Sequence, residues 1–323
     1  MGTTIHPFGQ EIVTVKGDFG GRELTLEYGR FGFLSNMVRA QVGDTVVMGI
    51  VTVNHKPADG LDFFPLTVEY EERFYASGRI SGSRFLKREG RPSDDAVIAG
   101  RLIDRPIRPL FPKGYRNETQ AVALVLSLDP EVRSDIVGMI AVSTALMISG
   151  SPFAGPVAGV RMGLGENGEF IVNPTVTQIA LSSLDLVVAG TKDAIMMVEA
   201  GASQVPDSIV LDAIEKAHEA LKPAVALQEE LVKKVGVTPF EYTLALPNEE
   251  ISDKVKEWVS GKLGQKNRGN TLERRQYSDK LFAELEETFA KEIGEEAWDK
   301  DGHEYKEALQ KAIDNDIRDM ILN

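Results

Sequence analysis

Residues 37–53 read MVRAQVGDTVVMGIVTV, two β-rich runs, Met37–Gln41 and Val46–Val53, on either side of Gly43-Asp44. A two-residue glycine turn between alternating runs is a hairpin signal, so the period here is 2 and the element is β. Leu24–Tyr28 alternates in the same way upstream, and Phe63–Tyr70 continues the pattern downstream. A Gly/Ser/Arg-rich loop, Ser77–Arg91, then interrupts it. Pro92-Ser93 with Asp94 and Asp95 behind them predicts a helix start, because acids favour the positive end of the dipole; Pro106 is expected to end that helix after Arg105. Ala121–Leu128 reads as a buried strand, and Ser134–Met147 has helical length with Ser134-Asp135 as its capping signal. Four further strands are expected at Val157–Met162, Glu169–Val172, Leu184–Ala189 and Ile195–Val198. The helix Asp207–Val235 follows, with Ile209, Leu211, Ile214, Ala217, Leu221 and Ala224 on one face. Residues 1–238 therefore read as one α+β domain.

Composition changes beyond Pro239. Residues 239–247 read as a linker, and 248–323 as an all-helical domain with stretches at Ile251–Leu263, Leu272–Ile293 and Tyr305–Leu322, separated by turns at 264–270 and Asp299–Gly302. The 323 residues, 42% hydrophobic and 26% charged with 30 Gly and 15 Pro, suit two globular domains and exclude disordered, collagenous and coiled-coil classes. Ile136–Ile148, the longest nearly apolar run, is far short of the roughly 18–20 residues that span a bilayer. No basic region followed by an apolar one opens the chain, so a cytoplasmic protein without a membrane partner is expected. The absence of cysteine removes disulfides and thiolate chemistry, and the histidines at 6, 55, 218 and 303 lack zinc-site spacing. An end at Asn323, in or just past a helix and without a tail, reads as a segment rather than a complete protein.

Charge carries the first functional clue. The chain has net charge -13, yet between Arg84 and Arg116 nine Lys and Arg face four acids. Gly163-Leu-Gly165-Glu-Asn-Gly168 satisfies a dinucleotide-binding pattern, but a strand follows where a helix is required, so a hairpin turn is expected. The acids Asp94/Asp95, Glu69/Glu71/Glu72 and Asp185/Asp193 are read as structural or solvated. Within residues 78–93, GRISGSRFLKREGRPS, an aromatic lies among cations on a glycine-flexible loop; this offers a stacking face and counter-charges for a single strand, or alternatively a core aromatic with solvated cations. Arg101, Arg105 and Arg108 share a helix face and must meet carboxylates or phosphate, with Asp104 one available partner.

The stretches FFPLTVEYEERFYASGRISGS (63–83), FLKREGRPSDDAVIAGRLIDRPIRPLFPKGYRNETQ (85–120), PFAGPVAGVRMGL (152–164) and DLVVAGTKDAIMMVEAGASQVP (185–206) resemble the N-terminal part of the bacterial polynucleotide phosphorylase (polyribonucleotide nucleotidyltransferase) family. The resemblance implies an RNase PH-like (ribosomal protein S5 domain 2-like) core followed by a small all-α domain, and, in the whole protein, processive 3′-to-5′ phosphorolysis of RNA to nucleoside diphosphates in mRNA turnover. It implies single-stranded RNA as partner, a homotrimeric ring and other RNA-decay proteins, with no DNA; inorganic phosphate is the co-substrate and Mg2+ the cofactor. Phe85, Lys87, Arg88 and Arg91 match the family's RNA-channel loop, where Leu86 and Lys87 replace the Phe and Arg of some members. No catalytic or metal-binding residue carries over. Where the family's active core has three aspartates, this sequence has Thr177, Ile179 and Ser183; where it has serines opening a helix, Arg133-Ser134-Asp135 stand, and Asp135 is expected to repel phosphate. The expectation is an inactive first core that supplies RNA contacts and ring assembly; the alternative is a complete, catalytically silent RNA-binding or ring-forming subunit.

Overall fold

The computed structural model describes residues 4–5, 11–32, 36–58, 61, 63–80, 90–246, 248–264 and 269–322. It divides into two compact units, 1–244 and 245–323. In the first unit, β1 (Thr4–Ile5), β2 (Glu11–Asp18), β3 (Glu23–Tyr28), β4 (Asn36–Val42), β5 (Thr45–Pro57), β6 (Leu66–Glu72) and β7 (Asn117–Ser127) form one sheet in the order β1-β2-β3-β4-β5-β7-β6. All pairs are antiparallel except β6 on β7. The expected hairpin is present: Met37 pairs with Ile50 and Val42 with Thr45, while Gly43 takes φ +58, where glycine has no Cβ to clash. β6 begins at Leu66 rather than Phe63.

A second sheet, in the order β11-β10-β8-β9, is built from β8 (Ala158–Leu164), β9 (Phe170–Val172), β10 (Leu184–Gly190) and β11 (Ile195–Ala202). Leu164 pairs with Phe170 across Gly165–Glu169, so the glycine motif is a hairpin turn. Helix α2 (Ser134–Ile148) has no polar face, and a helix apolar all round has to be buried all round. It packs on β4, β5 and β7, on β8 of the second sheet, and on α1 (Asp94–Ile107) and α4 (Asp207–Val235). Gly49 of β5 admits it: a Cβ there would collide with the Ala141 carbonyl. Gln228, fully buried on α4, accepts from the Thr144 hydroxyl of α2 at 3.2 Å and donates to the Val157 carbonyl at 2.9 Å, satisfying its amide.

Several expectations are corrected. Pro106 lies inside the last turn of α1, which continues to Ile107; near a C-terminus, proline removes only one intrahelical bond, and Arg108 N–H still reaches the Asp104 carbonyl. The N-cap of α2 is Arg133, without a side-chain cap, because the Ser134 hydroxyl is bonded elsewhere. Leu211 is 61% exposed; the buried stripe of α4 runs through Ala213, Ala217, Leu221 and Ala224. A short helix, α3 (Val176–Leu181), with a Thr175/Gln178 capping box, went unpredicted. Part of the expected linker packs on the first unit: the Phe240 ring meets His55, Tyr242 meets Tyr115, and Leu244 bridges to Tyr115.

The second unit contains α5 (Glu249–Val259), α6 (Thr271–Ile293) and α7 (Glu295–Leu322) around a cluster that includes Val255, Leu285, Phe289, Tyr305 and Leu309. Asp299–Gly302 is not a turn but lies within α7. Gly302 is required there because a Cβ would stand 2.8 Å from the Trp298 ring folded over it. Gly49 supplies the sharper test of packing. Gly49→Ala is expected to lower unfolding free energy by about 3 kcal/mol, the upper end of overpacking costs, since the colliding atoms are backbone; urea denaturation of the two proteins checks this.

Candidate nucleic-acid interface

Of the four residues expected to contact RNA, Phe85, Lys87 and Arg88 lie outside the described residues. Arg91 is exposed. It stands at the rim of a cleft of about 360 Å³ between the 3-10 turn Phe74–Ser77 and the start of α1. Arg73 and Arg79 also line this cleft, with Glu71 and Glu72. Both flanks of the 81–89 stretch therefore open onto one concavity. Ser93, the N-cap of α1, accepts from Ala96 N–H at 3.1 Å, which fixes the far wall. Neither Arg79 nor Phe74 was singled out from sequence. The signal lay in the same Gly/Ser/Arg-rich stretch, but the cleft depends on a 3-10 turn that periodicity does not reveal.

The acids of the cleft are already engaged. Glu71 is ion-paired with Arg73. Glu72 Oε1 accepts from the Tyr70 hydroxyl at 2.7 Å, and that hydroxyl lies 2.7 Å from Ser134 Oγ at the opening of α2. Burial, with the Glu72 and Asp135 carboxylates nearby, holds the Tyr70 phenol far above the ordinary tyrosine range. The row of arginines meets protein groups as well. Arg108 bonds both oxygens of Asp104 and donates to the Leu66 carbonyl at 2.9 Å, and Arg105 reaches Glu199 on β11 at 2.7 Å.

Beside the cleft, the opening of α2 is where a helix N-terminus could hold an anion. Here a carboxylate fills it. Asp135 pairs with Arg161 at 3.0 Å, and Arg161, on β8, also grips both oxygens of Asp185 on β10 at 2.7 and 2.8 Å. Arg161 was missed from sequence, although one arginine inside an otherwise apolar strand always needs carboxylates. Asp185, read from sequence as structural or solvated, shares this arginine with Asp135. The residues standing where a metal is expected in the active core do not fit Mg2+. The Thr177 hydroxyl and N–H are both bonded to Glu131, at 2.8 and 3.1 Å; Ile179 offers no side-chain oxygen; and Ser183 brings a neutral hydroxyl where a hard cation needs a carboxylate. The bonds from Thr177 hold the Glu131 carboxyl below its usual range. Among the described residues, no helix is long and apolar enough to cross a membrane.

Because Tyr70 is neutral in the fold and its unfolded counterpart ionises near pH 10, its contribution to stability is complete below pH 10 and lost as pH rises beyond it. Tyr70→Phe is expected to cost about 1 kcal/mol at neutral pH, through its lost hydrogen bonds, and to flatten the fall in stability above pH 10. Thermal melts of both proteins between pH 8 and 11 measure this.

Family models match in two adjoining blocks: "3′ exoribonuclease family, domain 1" over residues 20–152 and "3′ exoribonuclease family, domain 2" over residues 155–220, together more than half of the chain. The first block covers most of the seven-stranded sheet with α1 and α2, and the second covers the four-stranded sheet with half of α4. Among curated relatives, the polyribonucleotide nucleotidyltransferase of Bacillus velezensis is 44% identical over 315 residues, which is 97% of this chain and 44% of that protein. That of Heliobacterium modesticaldum is 50% identical over 247 residues, 76% of this chain and 35% of that protein. The enzyme of Clostridioides difficile is 48% identical over 276 residues, 85% and 39% respectively. The chain thus spans less than half the length of these relatives. Rice Rrp46 covers 71% of the chain and is itself covered to 96%, at TM-score 0.49 and 11% identity, a likeness too slight to carry weight.

Proposed function

The chain belongs to the 3′ exoribonuclease family, and from that premise we propose that it is a segment of a polyribonucleotide nucleotidyltransferase, a protein that degrades RNA processively from the 3′ end by phosphorolysis and releases nucleoside diphosphates. In this reading the segment contacts single-stranded RNA through Phe85, Lys87, Arg88 and Arg91 and takes part in a homotrimeric ring in the cytoplasm. Phosphate and Mg2+ are used by a part of the protein outside these 323 residues. The observation that carries the division of labour is the opening of α2, where Asp135, held by Arg161, occupies the place an inorganic phosphate would need. Glu72 adds a second negative charge on the Tyr70 and Ser134 hydroxyls beside it. Two carboxylates at a helix N-terminus already satisfy its positive end, and a phosphate dianion would have to displace them.

The 323-residue chain, given poly(A), inorganic phosphate and Mg2+, is therefore expected to release no nucleoside diphosphate above a protein-free control. Release above that control overturns the assignment of an inactive core. Binding is expected to persist without catalysis. For a fluorescent single-stranded RNA titrated at several salt concentrations, Lys87→Ala and Arg88→Ala should each reduce the magnitude of the log-affinity against log-salt slope by about 0.7. Phe85→Ala should cost about 1–3 kcal/mol with the slope unchanged. Cation variants with the parent's slope and affinity would make the loop a structural element only.

A further inference from the structure

We propose that a small cleft between the β2–β3 turn and the start of α2 binds the carboxylate group of a small organic acid, held by Arg22, Arg133, Arg161 and Asn173. This site goes beyond the RNA reading and does not depend on it. Three arginines and one asparagine line the cleft and no carboxylate does, in a chain of net charge -13. Asp135 and Asp185 hold the two Nη atoms of Arg161, but neither acid lines the cleft, and the Nε of this 8% exposed side chain has no partner. Asn173, just after β9, is fixed against the same residue: its N–H donates to the Arg161 carbonyl at 2.7 Å, and its Oδ1 accepts from the Arg161 N–H at 3.2 Å. The second bond sets which way the amide points. Its Nδ2 is then a buried donor with nothing to bond. Arg22 and Arg133 complete the set, since neither guanidinium has a hydrogen-bond or ion-pair partner among the described residues. The charge of Arg22 reaches Glu131, but that carboxylate is bonded to Thr177.

The size of the cleft chooses among anions. It offers about 30 Å³. One water needs roughly 10–15 Å³ of such space, so two oxygens fit and the four of a phosphate do not. The rest of the lining is apolar, with Phe19, Val42 and Val137 each 3% exposed or less, which suits a short alkyl group behind the carboxylate. Unbonded buried donors are unfavourable, and so is a desolvated carboxylate without donors; each supplies what the other lacks. A water could accept from two of the donors but would leave the guanidinium charges uncompensated. A bound carboxylate would also tie together the β2–β3 turn, α2 and β8, which makes stability a readout of binding.

The test uses the full chain, with sodium acetate replacing sodium chloride at constant ionic strength. Binding is followed by broadening of the acetate methyl resonance and by the melting temperature. Acetate is expected to bind the folded parent in the millimolar range and to raise its melting temperature. Arg22→Gln and Arg133→Gln, at a half-buried and an exposed position, should each weaken acetate roughly tenfold through the loss of a charge-assisted hydrogen bond. Asn173→Asp places a carboxylate in the cleft from within the chain, and aspartate adopts the positive φ of 47° there as asparagine does. This variant should melt above the parent and no longer bind acetate. A merely structural cleft gives the opposite, because a carboxylate added beside Asp135 and Asp185 would lower the melting temperature. No acetate binding by the folded parent, or parent-like binding by both arginine variants, overturns the site, as does Asn173→Asp melting below the parent. Inorganic phosphate binding more tightly than acetate, with the same dependence on Arg22 and Arg133, would overturn the carboxylate assignment in favour of phosphate. None of these readouts involves RNA, so the site and the RNA reading stand or fall separately.

Discussion

Helix α2 can lie against the backbone of β5 only because Gly49 carries no side chain, and most of the first unit follows from that contact. The helix runs Ser134–Ile148 with almost every side chain buried, so it can serve only as the centre of a layered core. One sheet covers it through β4, β5 and β7; β8, α1 and α4 cover what remains. Each fully buried Ile, Leu, Val or Met on it contributes on the order of 1.5–3 kcal/mol. Thr144 and Gln228 are accommodated inside because they bond each other and main-chain carbonyls.

Placing α2 in the centre also fixes what happens at its ends. Its first turn emerges beside the end of β6, where Tyr70 and Glu72 lie, and beside β8 and β10, which supply Arg161 and Asp185. Arg161 is 8% exposed, and a guanidinium in that position is tolerable only with carboxylates on its donors. Asp135 and Asp185 meet that need, and in doing so join helix, β8 and β10 through one side chain. The same bonds hold a carboxylate at the opening of α2.

Much of the architecture was legible because its signals are local. Period-2 alternation located the Met37–Val53 hairpin, and three- and four-residue spacing located Asp207–Val235 to its end residues. The misreadings occurred where tertiary contacts overrode local preference. Pro106 does not stop α1, since a helix held against β6 and β11 tolerates one lost bond in its last turn. Asp299–Gly302 has turn composition, yet Trp298 needs a position without Cβ, which makes the glycine a packing residue inside α7. Leu211 fits the helical period but faces solvent, because α4 presents small residues to the sheets. Around the cleft, the exposure of Arg91 agrees with its reading as a cation beside a glycine-rich stretch. That Arg79 lines the same cleft was not legible, since the cleft depends on the 3-10 turn Phe74–Ser77, which periodicity does not reveal.

The charge excess of the 84–116 segment is divided by the fold into two uses. Arg108 is held by Asp104 and by main-chain carbonyls at the start of β6, and Arg105 by Glu199 of the second sheet, so both act as fasteners between elements. Half-exposed pairs of this kind contribute about 0–1 kcal/mol each, and their charges are cancelled by the acids they meet. Among the described residues of that segment, Arg91 beside the cleft, Arg101 on α1 and Lys113 are exposed and meet no carboxylate. A count of basic residues therefore overstates the surface available to a phosphate backbone. The salt dependence of binding reports only cations that exchange counterions for phosphate, so in an acidic chain the slope measured for a nucleic acid would follow the unpaired guanidinium groups and not the excess of basic residues.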